Sequence, residues 1–378
     1  MGYVQKVSGN RFKARWRAPD GRLKSKTFPL RRDAEAYLRQ QEVAIDRGLY
    51  VDESHGKITF AEWADQYFTV ASRRLARTSY ARDLVYLKSY VLPRWGNVPI
   101  GRITKSEVER WVVELGAEGQ GVRGGTLSPA TIEKAYQTFR KVMKAAFEEE
   151  RIPRLPCPAH PPIARQKRKP VRFLTEAEVA NLAALISPRF EATIYVAAYG
   201  GFRVGELVAL RLDDVDWARG FIRVDEGLTD VGGHVQFENP KTERAFRTVP
   251  MADLVLEKLR EHVEACVGWD DLQAPLFLGR DGGVLRPNNW RRRHFDPAVA
   301  RAGLAPLTPH DLRHTAASFF IAEGANPWML AEILGHRDTR MIDRVYGHLF
   351  EKDRQALRER MSERARRAAV DNVHMLAR

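Results

Sequence analysis

The stretch TIYVAAYGGFRVGEL, residues 193–207, is apolar or small as far as the pair Gly200–Gly201 and then presents a cation, Arg203. A glycine pair ends a helix, and a guanidinium beside an apolar segment is costly without a partner. Glu206, three residues on, is such a partner, and a structural ion pair is the simplest account of Arg203 taken alone. The residues downstream change that account. Lys241 follows a strand in NPKT (239–242), and PHDLRH (309–314) sets His310 and Arg313 one turn apart on one helical face. His336 follows a helix-ending glycine in ILGHRD (333–338), and DRVYGH (343–348) carries Tyr346, the only tyrosine after Tyr199.

This set matches what cutting a phosphodiester without a metal requires: a nucleophile, charge on the non-bridging oxygens and an acid for the departing 5′ oxygen. Arginine keeps its proton and offers a planar fork, so Arg203 and Arg313 suit a phosphate clamp; lysine can release a proton, so Lys241 suits the acid. A phenol with a pKa near 10 is about one part in a thousand ionised at pH 7, a handicap of about 4 kcal/mol. Neighbouring cations, with His310 as base, would offset it. The product, a phosphotyrosyl ester, keeps the energy of the broken linkage, so no nucleotide is needed. Consistently, there is no Walker loop, and GGFRVG is not a dinucleotide fingerprint. No cofactor is expected. His310 and His314 have a zinc-like i, i+4 spacing, but no third ligand is evident, so no metal is expected and His314 reads as structural.

Charge points to the partner. The net charge is +14. Residues 1–32 contribute +9 and residues 151–172 contribute +7, which leaves −2 for the remainder. Cations concentrated in two short segments suit nucleic acid, because each neutralised phosphate releases counterions. The amino terminus lacks a signal-like apolar region and no stretch is long enough to span a bilayer, so a cytoplasmic protein is expected. Two cysteines, Cys157 and Cys266, without a CxxC pair, fit a reducing compartment.

A chain of 378 residues implies two or three domains. In RFKARWR (11–17), Phe12, Ala14 and Trp16 alternate with Arg11, Lys13, Arg15 and Arg17, which predicts a strand with one apolar and one cationic face. After the turn APDG, RLKSKTF (22–28) predicts another strand with Arg22, Lys24 and Lys26 in phase. An amphipathic helix over 31–45 covers the apolar face. The period then becomes helical: capping boxes at Thr59/Glu62 and Thr104/Glu107, a cap at Ser128 and apolar stripes predict helices from 59, over 78–91, 104–115 and 129–149. Six prolines between 151 and 172 mark a linker whose Arg165, Lys167, Arg168 and Lys169 suit a phosphate backbone. Beyond 173 a third box, Thr175/Glu178, opens a mostly helical region. FIRVDE, GHVQFENPK and RAFRTVPM are expected to form one short antiparallel sheet there, followed by helices at 251–264, 288–302, 310–323, 327–334 and after 350.

The ordered set Arg203, Lys241, His310-x-x-Arg313, His336 and Tyr346 resembles the tyrosine recombinases, in particular their phage integrase branch, and the resemblance covers nearly the whole chain. It implies a multidomain, mainly α fold with small β-sheets (α+β): an arm-type DNA-binding domain at 1–57 with a three-stranded sheet and a helix, a helical core-binding domain at 58–152, a basic linker at 153–172 and a mixed α/β catalytic domain at 173–378. It implies site-specific cutting and rejoining of double-stranded DNA at core-type and arm-type attachment sites, with the enzyme bound to the nucleoid of a bacterial host. Tyr346 becomes joined to a 3′ end, Arg203 and Arg313 hold the scissile phosphate, Lys241 protonates the 5′ oxygen, His310 moves a proton, His336 hydrogen-bonds the phosphate and Glu206 supports Arg203. It also implies a homotetramer on DNA, assisted by a host DNA-bending protein and an excision factor. His348 is a rival to His336 but lacks the preceding Leu-Gly turn. Two other readings use part of the same residues: a helix-turn-helix regulator built on 310–334, which leaves Lys241 and Tyr346 idle, and a type IB topoisomerase, which does not need the separate amino-terminal domain.

Overall fold

The computed structural model describes residues 2–48, 50–52, 54–119, 121, 124–163, 171–238, 246–280, 282–351 and 357–367. The chain divides into two units, Met1–Lys167 and Arg168–Arg378, described separately below.

In the first unit, β1 (Tyr3–Val7), β2 (Arg11–Arg17) and β3 (Leu23–Phe28) form an antiparallel sheet in that order. The alternation in β2 sends Ala14 and Trp16 into a small core shared with Ala34 and Leu38 of α1 (Arg31–Asp46), while Phe12 and Phe28 pack at its edge. Arg11, Lys13, Arg15 and Arg17 therefore occupy the open face. Residues directly opposite in an antiparallel ladder share a face, and the register pairs Trp16 with Lys24 and Ala14 with Lys26. The two lysines consequently stand on the helix side, contrary to the expectation that they join the cationic face. Lys24 is ion-paired with Asp52, and the Lys26 ammonium lies 4.4 Å from the centre of the Tyr37 ring. Arg22 precedes β3 and stays in solvent beside Asp20.

The capping boxes at Thr59 and Thr104 open α2 (Phe60–Ala71) and α5 (Lys105–Leu115) as expected. Between them, α3 (Arg77–Tyr86) continues through one π turn, residues 87–91, into α4 (Leu92–Trp95). α6 (Pro129–Glu148) begins at the Ser128 cap. These helices enclose an aromatic core of Phe60, Trp63, Trp95, Trp111 and Phe139. The segment expected to begin a linker at 153 instead packs on this core as far as 163. Cys157 is buried, Leu155 and Ile163 lie against the cluster, and the Tyr136 hydroxyl donates to the Pro158 carbonyl at 2.6 Å. Its apolar side chains gain more from burial than the extended proline backbone gains from solvent. Arg165, Lys167, Arg168 and Lys169 lie outside the described residues.

In the second unit, the Thr175 box opens α7 (Glu176–Leu185), followed by the buried α8 (Glu191–Gly200) and the single turn α9 (Val204–Leu207). β4 (Val215–Asp216), β5 (Phe221–Val224) and β8 (Arg247–Pro250) form one small antiparallel sheet. β6 (Gly227–Val231) and β7 (His234–Glu238) form a separate hairpin, so the single expected sheet is in fact two. The turn Gly232–Gly233, with φ of +61° and +82°, lets 234–238 fold back on 227–231 rather than join β5. α10 (Asp253–Cys266), α11 (Pro287–Trp290), α12 (Asp296–Arg301), α13 (Pro309–Ala322), α14 (Pro327–Leu334) and α15 (Arg340–Glu351) complete the unit. Its main core joins α8, β5, β8, α10 and the start of α13; a second cluster joins α13, α14 and α15 around Ala317, Leu330, Leu334, Ile342 and Tyr346. Tyr346 thus sits on a helix that the sequence reading placed only after 350. Among the described residues no helix is long and apolar enough to cross a membrane.

Candidate active site

Two helices end in the same manner and deliver two site residues to one place. α8 stops at Gly201 (φ +66°) and α14 at Gly335 (φ +63°), both in the left-handed region that glycine adopts without cost. Two residues after Gly201 comes Arg203, and directly after Gly335 comes His336. α13 runs past both ends. Its Arg313 is 2% exposed, donates from Nη1 to the Gly201 carbonyl at 2.6 Å, and donates from Nη2 to the Leu334 carbonyl and to His336 Nε2 at 3.0 Å. The helix-ending carbonyls that α8 and α14 leave without internal partners are satisfied by this guanidinium.

Glu206 organises the cations. Its carboxylate accepts from the Arg203 backbone N–H at 2.8 Å and Nη1 at 2.7 Å, and from Arg247 Nη2 at 2.7 Å and Nη1 at 3.3 Å. Arg313 Nη1 approaches it to 4.0 Å. Burial alone would raise the carboxyl pKa, but the Arg247 hydrogen bond and charge, together with Arg203, hold it down to about 2. The bland account of Arg203 as an ion pair with Glu206 is therefore correct, yet incomplete. Its guanidinium is 45% exposed and opens into a cavity, with Nη2 also donating to the Gly335 carbonyl at 3.2 Å.

That cavity, of about 770 Å³, is lined by Arg203, Glu206, His310, Arg313, His336 and Tyr346, together with His314 and the rim of the β6–β7 hairpin. The structure thus brings five of the six candidate catalytic residues, and Glu206, around one space. The sixth, Lys241, lies outside the described residues; it follows three positions after Glu238, which lines the cavity. His348 is exposed and set against Phe173, with ring centres 6.2 Å apart, and it does not line the cavity. His336 does.

Tyr346 is 2% exposed, and its oxygen lies 2.7 Å from Nδ1 of His314. Burial pushes the phenol up to about 12 against the opposing pull of Arg313. The imidazoles move the other way. Burial, then the Arg313 charge, lowers His336 to about 4; burial, then His310, lowers His314 to about 4; and burial, then Arg313, lowers His310. Arg313 itself is reduced to about 9 by burial, with Arg203 adding to it, and stays protonated near neutrality. Three guanidinium groups thus share one carboxylate, and the cavity keeps an excess of positive charge facing a protonated phenol, an arrangement suited to an incoming anion. Arg313 donates to His336 Nε2, which places the ring proton on Nδ1, and that buried atom has no partner among the described residues. A phosphate oxygen is an acceptor of the kind it lacks.

The sequence reading missed two residues. Arg247 is buried in phase with Val249 on the inward face of β8, and that parity was a signal available in RAFRTVPM. It also donates from Nε to the Ile333 carbonyl at 2.7 Å, joining β8 to α14. His314, read as structural, is in contact with the Tyr346 hydroxyl, and no periodicity within one helix reports a partner on another. Among the described residues no group of three or more His, Cys, Asp or Glu side chains is arranged to hold a metal ion.

The phage integrase family model matches residues 172–353. The model for the phage integrase N-terminal domain matches residues 1–47, and that for the N-terminal SAM-like domain matches 59–116. The putative prophage phiRv2 integrase of Mycobacterium tuberculosis is 25% identical over 351 residues, covering 89% of this chain and 88% of the relative. A Tn1549 transposon integrase in complex with a circular intermediate DNA has a similar fold, with a TM-score of 0.68 at 20% identity over 80% of this chain and 99% of that one. So does a lambda integrase tetramer bound to a Holliday junction, with a TM-score of 0.57 at 17% identity over 89% and 96%.

Proposed function

Because this chain belongs to the phage integrase family of tyrosine recombinases, we propose that its cavity cuts and rejoins DNA at specific sites through a 3′-phosphotyrosyl intermediate on Tyr346. The observation that carries the reading is the meeting of the Tyr346 phenol of α15 with two arginines and three imidazoles, brought by α13 and by the turns after α8 and α14, in one cavity. In the proposed reaction the scissile phosphate enters between Arg203 and Arg313 and accepts a hydrogen bond from His336. Tyr346 Oη bonds to phosphorus as the bond to the 5′ oxygen breaks. That oxygen takes its proton from Lys241, whose ammonium is the group in the set able to give one up. Attack by another 5′-hydroxyl reverses the step, so strands are rejoined without a nucleotide.

The open face of the amino-terminal sheet, with Arg11, Lys13, Arg15 and Arg17, is proposed to bind arm-type sites, and the helical region of 58–152 to bind core-type sites with the basic segment Arg165–Lys169 along the backbone. Lys24 and Lys26 are not assigned to that face, because they stand behind it. A lambda integrase forms a tetramer on a Holliday junction, and a homotetramer with paired strand exchange is proposed here also. A host DNA-bending protein and an excision factor are the accessory partners in this reading, and the bacterial nucleoid is its place of action.

The test is covalent capture. Duplexes nicked near a randomised core are incubated with the chain, and those that become protein-linked are sequenced. Wild type should recover a defined core, and Tyr346→Phe should bind the recovered duplex without linking to it. A regulator would link to none, and a topoisomerase would link without a defined core and relax any supercoiled plasmid.

A further inference from the structure

We propose that His314, and not His310, takes the phenolic proton of Tyr346 as that oxygen attacks phosphorus. The inference rests on the recombinase reading of the cavity and assigns a role within it that the residue pattern alone suggests for His310. α13 presents His310 and His314 one turn apart, with ring centres 4.7 Å apart and edge-on. Only one of the two reaches the nucleophile: His314 Nδ1 is 2.7 Å from Tyr346 Oη, whereas among the described residues His310 makes no hydrogen bond with it. A base must lie within hydrogen-bond reach of the proton it removes, and His314 already does so.

The charged and titratable groups facing His314 are His310, Asp311 and Arg313 of its own helix and Tyr346 of α15. Burial, then His310 and Arg313, outweigh the opposing pull of Asp311 and keep the imidazole neutral near pH 7; in its Nε2-protonated tautomer Nδ1 accepts and the phenol donates. Without a substrate this acceptor is weak, held down by burial first and then by His310 and Arg313. A phosphate clamped by Arg313 offsets that cation, so the base strengthens as the substrate arrives. The transfer then balances: the Oη–P bond forms, the bond from phosphorus to the 5′ oxygen breaks, the phenolic proton passes to His314 Nδ1, and the 5′ oxygen is protonated separately. On rejoining, the departing phenolate recovers its proton from His314.

The probe is the duplex recovered by covalent capture, made with either an ordinary 5′ oxygen or a bridging 5′ sulfur at the cut position. A 5′ thiolate leaves without needing a proton, so the sulfur duplex isolates the attack. His314→Ala and His314→Asn should each slow adduct formation by on the order of 100-fold on both duplexes, whereas Lys241→Ala should be slow on the oxygen duplex alone. Asn keeps an acceptor near the phenol but cannot take its proton. It therefore also carries the test should the Ala variant fold poorly. The inference is overturned by His314→Asn remaining within about threefold of wild type, since a hydrogen bond would then suffice. It is equally overturned by a 5′ sulfur that restores His314→Ala, since the residue would then serve the leaving group. The acidic fall in the wild-type rate on the sulfur duplex should vanish in His314→Asn; its persistence there assigns the proton to another group. Failure of wild type to link to any duplex defeats the recombinase reading itself, an outcome distinct from parity between wild type and the His314 variants.

Discussion

Arg247 and Glu206 form a two-pronged ion pair inside the second unit, with Nη2–Oε2 at 2.7 Å, Nη1–Oε1 at 3.3 Å and the arginine side chain 1% exposed. The same carboxylate aligns Arg203, and the same guanidinium holds the Ile333 carbonyl two residues before Gly335. One buried pair therefore fixes the placement of both Arg203, which lines the cavity, and the His336 turn.

Removing one member of such a pair leaves its partner's charge buried and uncompensated, at a cost of about 3–5 kcal/mol. Glu206→Gln, which leaves the buried Arg247 without its carboxylate, should lower stability by that order, and Arg247→Met by less, because Glu206 keeps its pair with Arg203. Urea unfolding of the full chain provides the measurement, and equal midpoints for Arg247→Met and wild type would contradict the pairing.

Acid should weaken the second unit in two stages. His314 and His336 have folded pKa values near 4, below an ordinary imidazole, so the unfolded chain binds more protons between about pH 6.5 and 4 and stability falls as pH drops through that window. Glu206, held near 2, contributes stability above its ordinary carboxyl value near 4.5 that is lost only as pH falls toward 2. His336→Gln should flatten the first stage, read by hydrogen exchange of the α13 amides between pH 7 and 5, and leave the second unchanged.

At Gly201 a side chain meets two obstacles: φ is +66°, and a Cβ would lie 2.8 Å from Leu334 Cδ2. Gly201→Ala should cost at least 1 kcal/mol from backbone conformation alone and should displace the carbonyl that Arg313 holds. Adduct formation would then fall by more than the loss of folded protein explains, which a comparison of capture rate with the fraction folded by circular dichroism would reveal.

The two faces of the amino-terminal sheet should respond differently to salt. Lys13→Gln and Arg15→Gln are expected to reduce the slope of log affinity against log salt by about one per lost phosphate contact. Lys26→Gln should leave the slope unchanged, since its ammonium lies over Tyr37 on the helix side. Binding isotherms of the full chain on arm-type DNA at several salt concentrations separate these outcomes.

Much of the fold was legible because local chemistry dictated it. The boxes Thr59/Glu62, Thr104/Glu107 and Thr175/Glu178 all form, since a hydroxyl and a carboxylate three residues apart satisfy the first turn whatever packs beyond it. The alternation of RFKARWR likewise named its buried face. What failed depended on pairing between segments. Lys24 and Lys26 changed face because register with β2, and not their own spacing, decides which side they share. GHVQFE left the expected sheet because the Gly232–Gly233 turn returned it to β6.

The site divides along the same line. Residue types alone determined that a phenol, two guanidinium forks and imidazoles were present in an order suited to phosphate chemistry, because donor geometry and the ordinary pKa are properties of the side chain itself. Only the tertiary structure decided that Arg247 underlies Glu206 and that His314 touches Tyr346. Those contacts cross between β8 and α9 and between α13 and α15, and the separations of 41 and 32 residues carry no periodic signal. Burial, which moves the phenol and the imidazoles in opposite directions, exists only once the elements have packed.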